Sequence, residues 1–511
     1  MLFNSFLFIF FFLPVTLVVY YRLADSGFRS SAIAWLVICS LFFYGWWNPP
    51  YLLLIICSIL VNFTIGRGLQ RIAAGAAKKL LLTVGIAFNL SLLGYFKYAN
   101  FFIDQLNVIF TTGVKLEPIM LPLAISFFTF QQIAYLVDVY RSDVQKYRFL
   151  HYCLFVTFFP QLIAGPIVQH HEMFPQFARL TQSNERLKQL SFGMVLFLIG
   201  LSKKVLFADS LALYASPIFD GAERMVALSF WEGWSGALAY SLQLYFDFSG
   251  YSDMALGLAK MMNINLPINF NSPYKATSII DFWRRWHITL SRFLRDYLYI
   301  PLGGNRVARP RYYTNLFLTM LLGGIWHGAG WTFVIWGALH GFCLIINHLW
   351  RSGCKALLGP DRKSTPIGIF CGRVLTLLCV IIGWVFFRAE SVEGAWYLLG
   401  VMLGTNGFGV PQDLADQLVY LQQLVHTFGI IGSESGLRID LWSGMQLIFL
   451  LGLVALFFPN SNQLIEDNGK WFTFSRYLLS KPLLTGIAGS SLFFYVFINL
   501  SREAEFLYFN F

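Results

Sequence analysis

Apolar residues dominate this chain in long blocks. Runs of nearly continuous hydrophobicity occupy 6–21, 32–47, 51–65, 80–96, 119–137, 193–207, 228–246, 316–326, 331–349, 374–387, 447–458 and 483–500. A helix that crosses a bilayer needs roughly 20 apolar residues, or about 17 at the short end. Several runs are shorter than that, so some are expected to re-enter the membrane rather than cross it. The pattern predicts an all-α polytopic membrane protein with about ten to twelve transmembrane or re-entrant helices. The first run begins without a basic residue (MLFNSF) and no A-x-A site follows it, so it reads as the first span rather than a cleaved signal.

One segment breaks the pattern of spans and short loops. Within the basic stretch 248–313, residues 279–300 show helical periodicity. Stepping about 100° per residue puts Phe282, Trp283, Trp286, Leu290, Phe293, Leu294, Tyr297 and Leu298 on one face. Asp281, Arg284, Arg285, Arg292, Arg295 and Asp296 fall on the other. Asp281 with Arg285, and Arg292 with Asp296, stand at i,i+4 spacing. Ser278 is placed to cap the start, and Pro301 with Gly303-Gly304 to end it. The pattern predicts an interfacial amphipathic helix over 279–300.

Composition agrees. The chain is 57% hydrophobic and 12% charged, where soluble domains carry about 25% charged residues. The net charge of +11 is no argument for nucleic acid here, because Lys and Arg in a membrane protein mark cytoplasmic loops. Arg67, Arg71, Lys78 and Lys79 fill one loop, and Arg141, Lys146 and Arg148 another. The 248–313 segment carries nine positive residues against Asp253, Asp281 and Asp296. Placing these loops in the cytoplasm leaves the N-terminus outside. The polar insert 405–442 then faces the periplasm. No linker or internal repeat divides the chain, which reads as one membrane domain, 1–511. Its seven cysteines form no C-x-x-C pair and read as apolar fillers, so neither a disulfide frame nor a metal site is expected.

The eight histidines separate by context. His151, His426 and the His170-His171 pair have charged or polar neighbours and read as solvated loop residues. His340 and His348 read as hydrogen-bonded core histidines. His287 falls on the aromatic face of 279–300, and His327 sits in GGIWHGAGW among Gly323, Gly324, Gly328 and Gly330. An ionisable group at membrane depth is a functional candidate, and a neutral imidazole suits proton transfer near neutral pH. The glycines are expected to clear space for reactants, with Trp326 and Trp331 as walls. No G-x-S-x-G elbow, H-E-x-x-H motif or phosphate loop occurs.

Several stretches together resemble the membrane-bound O-acyltransferase family, in its bacterial alginate O-acetyltransferase branch. They are SFFTFQQIAYLVDVYR (126–141), FFPQLIAGPIVQH (158–170), YFDFSGYSDMALGLAKMM (245–262), the block 269–306 and GGIWHGAGWTFVIWGALHG (323–341). The resemblance implies a buried acyl-transfer tunnel ringed by the helices. It maps the family's W-H-G histidine onto His327 as the catalytic residue and a second catalytic position onto His287. It further implies a bacterial inner-membrane O-acetyltransferase acting on an exported polysaccharide, alginate or a related polymer, with a periplasmic acetyltransferase-like partner. Acetyl-CoA is the expected donor, and no bound cofactor is expected. Peptidoglycan or cellulose O-acetylation and teichoic-acid D-alanylation are alternatives within the family. A proton-coupled transporter is the alternative outside it, although the matched halves usual in transporters are missing from the sequence.

Overall fold

The computed structural model describes residues 1–141, 148–177, 186–359, 365–409, 437, 439–465 and 482–500. The regular structure among them is helical, and no strand occurs there. Six helices are long and apolar enough to cross a membrane: Phe8–Asp25, Tyr51–Arg71, Ala76–Phe110, Arg186–Glu223, Trp331–Leu357 and Pro366–Arg388. Four shorter apolar helices join them, Arg29–Gly45, Val392–Met402, Leu441–Phe457 and Gly489–Asn499. The all-α polytopic fold is therefore as the hydrophobic pattern predicts. Of the polar insert 405–442, residues 410–436 and 438 lie outside the described residues, as do Lys146 and His426.

The chain forms two compact units. One comprises 1–201, 251–269 and 483–501; the other comprises 202–250, 270–482 and 502–511. In the first unit, helices α1 (Tyr51–Arg71), α2 (Ala76–Leu93) and α3 (Ile125–Tyr140) pack through a buried polar network. Asn62 and Asn89 exchange amide hydrogen bonds of 3.2 and 2.6 Å. Gln132 donates to Ser58 at 2.9 Å, and Tyr152 donates to Gln132 at 3.2 Å. Lipid tails are as apolar as leucine, so such bonds and close backbone approach drive helix association in a bilayer. Gly66 and Gly85 provide that approach: a Cβ would come 2.6 Å from the Tyr135 ring at the first and 2.7 Å from Leu136 at the second. Helix α3 is buried along nearly its whole length, which explains its Gln131, Gln132 and Asp138 in an apolar run.

The second unit holds both singled-out histidines. Its segment 279–300 corrects the expected continuous helix. Two short helices, α4 (Ile279–Trp283) and α5 (Ile288–Leu294), are separated by a break at 284–287. His287 ends the break in the left-handed conformation, φ +43° and ψ +53°. The backbone of Asn271 donates to the Arg285 carbonyl at 2.9 Å, which satisfies a group the break leaves open. The faces are nonetheless as periodicity predicts: Phe282, Trp283, Trp286, Leu290, Phe293 and Leu294 are buried, while Arg284 and Arg295 are exposed. Ser278 caps α4 through the Asp281 amide, and Arg285 pairs with Asp281 at 2.9 Å. Asp296 takes a two-point contact from its neighbour Arg295 at 2.7 and 3.1 Å.

Helices α6 (Arg309–His327) and α7 (Trp331–Leu358) form the hairpin that carries His327. Their backbones meet at Gly324 and Gly337. A Cβ on Gly324 would sit 2.4 Å from the Phe333 carbonyl and 2.8 Å from the Gly337 Cα; one on Gly337 would sit 2.7 Å from the Met320 carbonyl. Helix α8 (Pro366–Arg388) packs against α7 at Gly383.

These clearances predict opposite outcomes for two alanine substitutions in the same hairpin. Gly324→Ala must displace backbone and should lower stability by about 1–3 kcal/mol, the usual cost of overpacking. Gly353, in α7, has open space around its Cβ position, so Gly353→Ala should raise stability by about 0.5–1 kcal/mol through helix propensity. Thermal unfolding of the purified variants in detergent measures both. Equal melting temperatures would mean that the hairpin is not held by backbone contact at Gly324.

Candidate active site

His327 is the last residue of α6, and Gly328 beyond it turns the chain into an extended conformation. The end of the helix thus puts the imidazole at the mouth of the hairpin. His287 comes from the other side, turned inward by its left-handed backbone. The two ring centroids lie 6.5 Å apart at 66°. The residues singled out in the sequence therefore meet. Around His327 stand Trp326 at 4.9 Å, Trp336 at 5.1 Å and Phe387 at 5.1 Å. Trp384 stacks on Trp336 at 5.9 Å and closes that side. Near His287 lies the Phe270 ring, at 6.1 Å.

His287 is 4% exposed, and its Nδ1 has no hydrogen-bond partner among the described residues. Burial pushes its pKa down, which keeps the ring neutral. A neutral imidazole offers one donor and one acceptor. A non-glycine residue in the left-handed region costs of order 1–3 kcal/mol, and such strain concentrates at functional sites. An unpaired polar atom and a strained backbone thus coincide in one residue beside His327.

A third histidine belongs to this chamber. His340 was expected to be a hydrogen-bonded core residue. It is fully buried, but neither ring nitrogen has a partner among the described residues. One helical turn beyond Trp336, it packs at 4.8 Å from that ring and 5.2 Å from Trp283. Gly383 of α8 makes the room, since a Cβ there would come 2.9 Å from Nε2. The readable signal was the i,i+4 spacing of Trp336 and His340. His348 is not a core residue either. It is half-buried near the end of α7, 5.5 Å from the Tyr312 ring.

Three of the four glycines around His327 serve protein packing, where they were expected to clear space for reactants; a Cβ on Gly330 would make only ordinary contacts, the nearest at 3.6 Å. Gly324 seats α7, a Cβ on Gly328 would strike the Phe333 ring at 2.1 Å, and one on Gly323 would meet Leu294 at 3.2 Å. Trp326 does wall the chamber, but Trp331 is 53% exposed and does not. Trp336 takes that place. Open volume lies one ring away. A cavity of about 530 Å³ is lined by Trp234, Leu242, Tyr274, Ile381, Ile448 and Phe449 among others. Its Tyr274 ring stacks 6.3 Å from Trp286, the residue before His287.

Two buried clusters of ionisable side chains escaped the sequence reading. In the second unit, Lys204 Nζ lies 2.8 Å from Asp209 and 2.7 Å from Asp247. Asp247 is on the helix Phe230–Met261. In the first unit, His170, expected to be solvated, is 2% exposed and its Nδ1 lies 3.2 Å from Asp138. The opposite signs of Lys204 and Asp247, each within an otherwise apolar run, were the available signal.

The membrane-bound O-acyltransferase family model matches residues 125–387, a range that contains His287, His327 and His340. Among curated proteins, the chain is 41% identical over 545 residues to a peptidoglycan O-acetyltransferase of Helicobacter pylori, covering 100% of this chain and 98% of that one. It is 44% identical over 410 residues to a probable alginate O-acetylase of Pseudomonas aeruginosa, covering 79% and 75% respectively. A teichoic acid D-alanyltransferase of Streptococcus thermophilus is 27% identical over 253 residues, 48% of this chain and 61% of that one.

The left-handed backbone at His287 separates its conformational role from its chemical one. Asparagine tolerates this region and a β-branched residue does not. His287→Val should therefore be less stable than His287→Asn by about 1–3 kcal/mol, read from thermal unfolding in detergent. Identical unfolding of the two variants would show that the fold does not impose the left-handed conformation.

Proposed function

Because the chain belongs to the membrane-bound O-acyltransferase family and is thus a membrane O-acyltransferase, we propose that it passes acetyl groups from a cytoplasmic donor toward an exported polysaccharide. The observation that carries this reading is the meeting of His287 and His327 in an aromatic chamber. Acetyl-CoA is the donor we assign. His327 accepts the proton of the acceptor hydroxyl as its oxygen attacks the thioester carbonyl. The carbon–oxygen bond forms, the carbon–sulfur bond breaks, and the proton passes to the leaving thiolate. His287 orients a reactant through its unpaired Nδ1 and keeps its proton. A dry chamber strengthens both interactions, because charge developing there is poorly screened. We place the enzyme in a bacterial inner membrane, with a periplasmic acetyltransferase-like partner completing delivery to the sugar.

Alginate or a related uronate polymer is the acceptor suggested by the resemblance and by the alginate O-acetylase relatives. Peptidoglycan is the second reading, and one observation favours it: the peptidoglycan O-acetyltransferase relative matches end to end, whereas the alginate O-acetylase relative matches over 79% of the chain. Ester-linked acetate measured separately on peptidoglycan and on exported polymer, with and without the protein, decides between them.

The assignment of roles predicts unequal variants. His327→Gln should lose about 10²–10⁴-fold in acetyl transfer, the usual contribution of a positioned base. His287→Gln keeps hydrogen-bonding capacity and should retain measurable transfer. The assay follows labelled acetyl-CoA and free thiol release by reconstituted protein at matched membrane levels. A more damaged His287→Gln would reverse the two roles. Acetyl transfer at the wild-type rate by His327→Gln would remove that residue from catalysis.

A further inference from the structure

A second pocket in the same unit is as polar as the histidine chamber is dry. It holds about 460 Å³ and lies between the start of α6 and the last turns of α7. Arg309 and Tyr312 line it from α6, and His348, Arg351 and Lys355 from α7, with Asn305 contributed by the preceding turn. The sequence has no aspartate or glutamate between Asp296 and Asp361. Among the described residues, no ion pair links Arg309, Arg351 or Lys355 to a carboxylate. Three cations thus converge on an open cavity without an internal counter-charge. The first turn of α6 adds its unpaired amides and the positive end of the helix dipole, which favour an anion.

The height of the pocket in the membrane identifies the anion. Helix α7 is a candidate span. Its exposed side chains Phe342, Ile346, Leu349 and Trp350 follow i, i+4, i+7 and i+8 spacing, a lipid-facing stripe. That stripe climbs to an exposed tryptophan immediately before Arg351. Trp350 lies two turns before the end of the span at Leu357, and tryptophan near the end of a span marks the headgroup level. The cations of the pocket therefore stand at the depth where lipid phosphates are concentrated. Basic pockets between spans at this level recognise acidic headgroups.

We propose that this pocket binds the phosphate headgroup of an acidic phospholipid and holds the α6–α7 hairpin at the membrane surface. Arg309 and Arg351 pair with the phosphate. Tyr312 and Asn305 are placed to donate hydrogen bonds to it, and Lys355 at the rim adds charge. The site is separate from the transfer chemistry: His327 lies at the opposite end of α6, about 27 Å away along a helix of 19 residues.

The test uses the full-length protein reconstituted in phosphatidylcholine vesicles containing a minor fraction of phosphatidylglycerol. The protein is then extracted gently, and its retained lipids are identified by native mass spectrometry. The wild type should keep phosphatidylglycerol in excess over phosphatidylcholine. The pair Arg309→Gln and Arg351→Gln should lower that excess about five-fold per charge removed, since each basic residue near the surface contributes on the order of 1 kcal/mol. Arg71→Gln with Lys79→Gln, removing two exposed charges from another basic loop, should leave it unchanged. If the first pair does not stay monodisperse, Lys355→Glu decides, and it should lower the excess as well. Three results would overturn the proposal: no preference for the acidic lipid, equal loss in the Arg71/Lys79 control, or displacement of the lipid by added coenzyme A. The last would reassign the pocket to a soluble phosphorylated donor.

Discussion

The contact of two backbones at Gly324 and Gly337 is the constraint on which the chamber depends. No side chain separates α6 from α7 there. That closeness fixes the register of the hairpin, and register decides what faces what. His327 stands three residues beyond Gly324, at the end of its helix. Trp336 stands one residue before Gly337, and His340 three residues after it. A wider hairpin would part His327 from the Trp336 ring and open the floor beneath His340. Gly383 repeats the device on α8, where a missing Cβ lets the third helix close over His340. The rings of the chamber are thus positioned by atoms that are not there.

Desolvation explains why the site is built from imidazoles and indoles. A charged group in this chamber would meet a large Born cost, so the surroundings favour groups that handle protons while neutral. His287 meets that demand through burial alone. The aromatic walls carry little polarity beyond their indole N–H groups, of which those of Trp283 and Trp336 have no hydrogen-bond partner among the described residues. Charges in the same unit are handled differently. Lys204 is enclosed by Asp209 and Asp247, each within 3 Å, whereas the cations of the second pocket line an open cavity.

Much of this architecture was legible in the sequence, for reasons that differ by residue. The helical class followed from apolar run length, because a bilayer enforces helix wherever the backbone lacks water. The buried and exposed faces of 279–300 followed from the helical period. The break at His287 did not, because a left-handed residue leaves no mark in a hydrophobic pattern unless it is glycine. His287 and His327 stood out because they are isolated polar residues in apolar surroundings. His340 is equally isolated; its i,i+4 spacing from Trp336 placed it on the same helix face, but a sequence pattern does not show that both nitrogens lack partners among the described residues. His170 looked solvated beside His171 and Glu172, and only the packing of the helix carrying Asp138 shows otherwise. Trp331 and Trp336 were indistinguishable as tryptophans; their positions on α7 separate an exposed ring from a wall of the chamber.

The Lys204 cluster also bears on how the protein is made. Lys204 stands midway along the candidate span 186–223. An unpaired lysine at the centre of a span costs roughly 2.5–3.5 kcal/mol to leave in lipid. Asp209 is already present when that span leaves the ribosome, but Asp247 arrives only with the following helix, carrying a charge that needs the same lysine. Neither helix is a comfortable guest of the bilayer by itself. Contact between the two helices lets one lysine neutralise both carboxylates, so the helix carrying Asp247 gains its counter-charge only by packing against its predecessor.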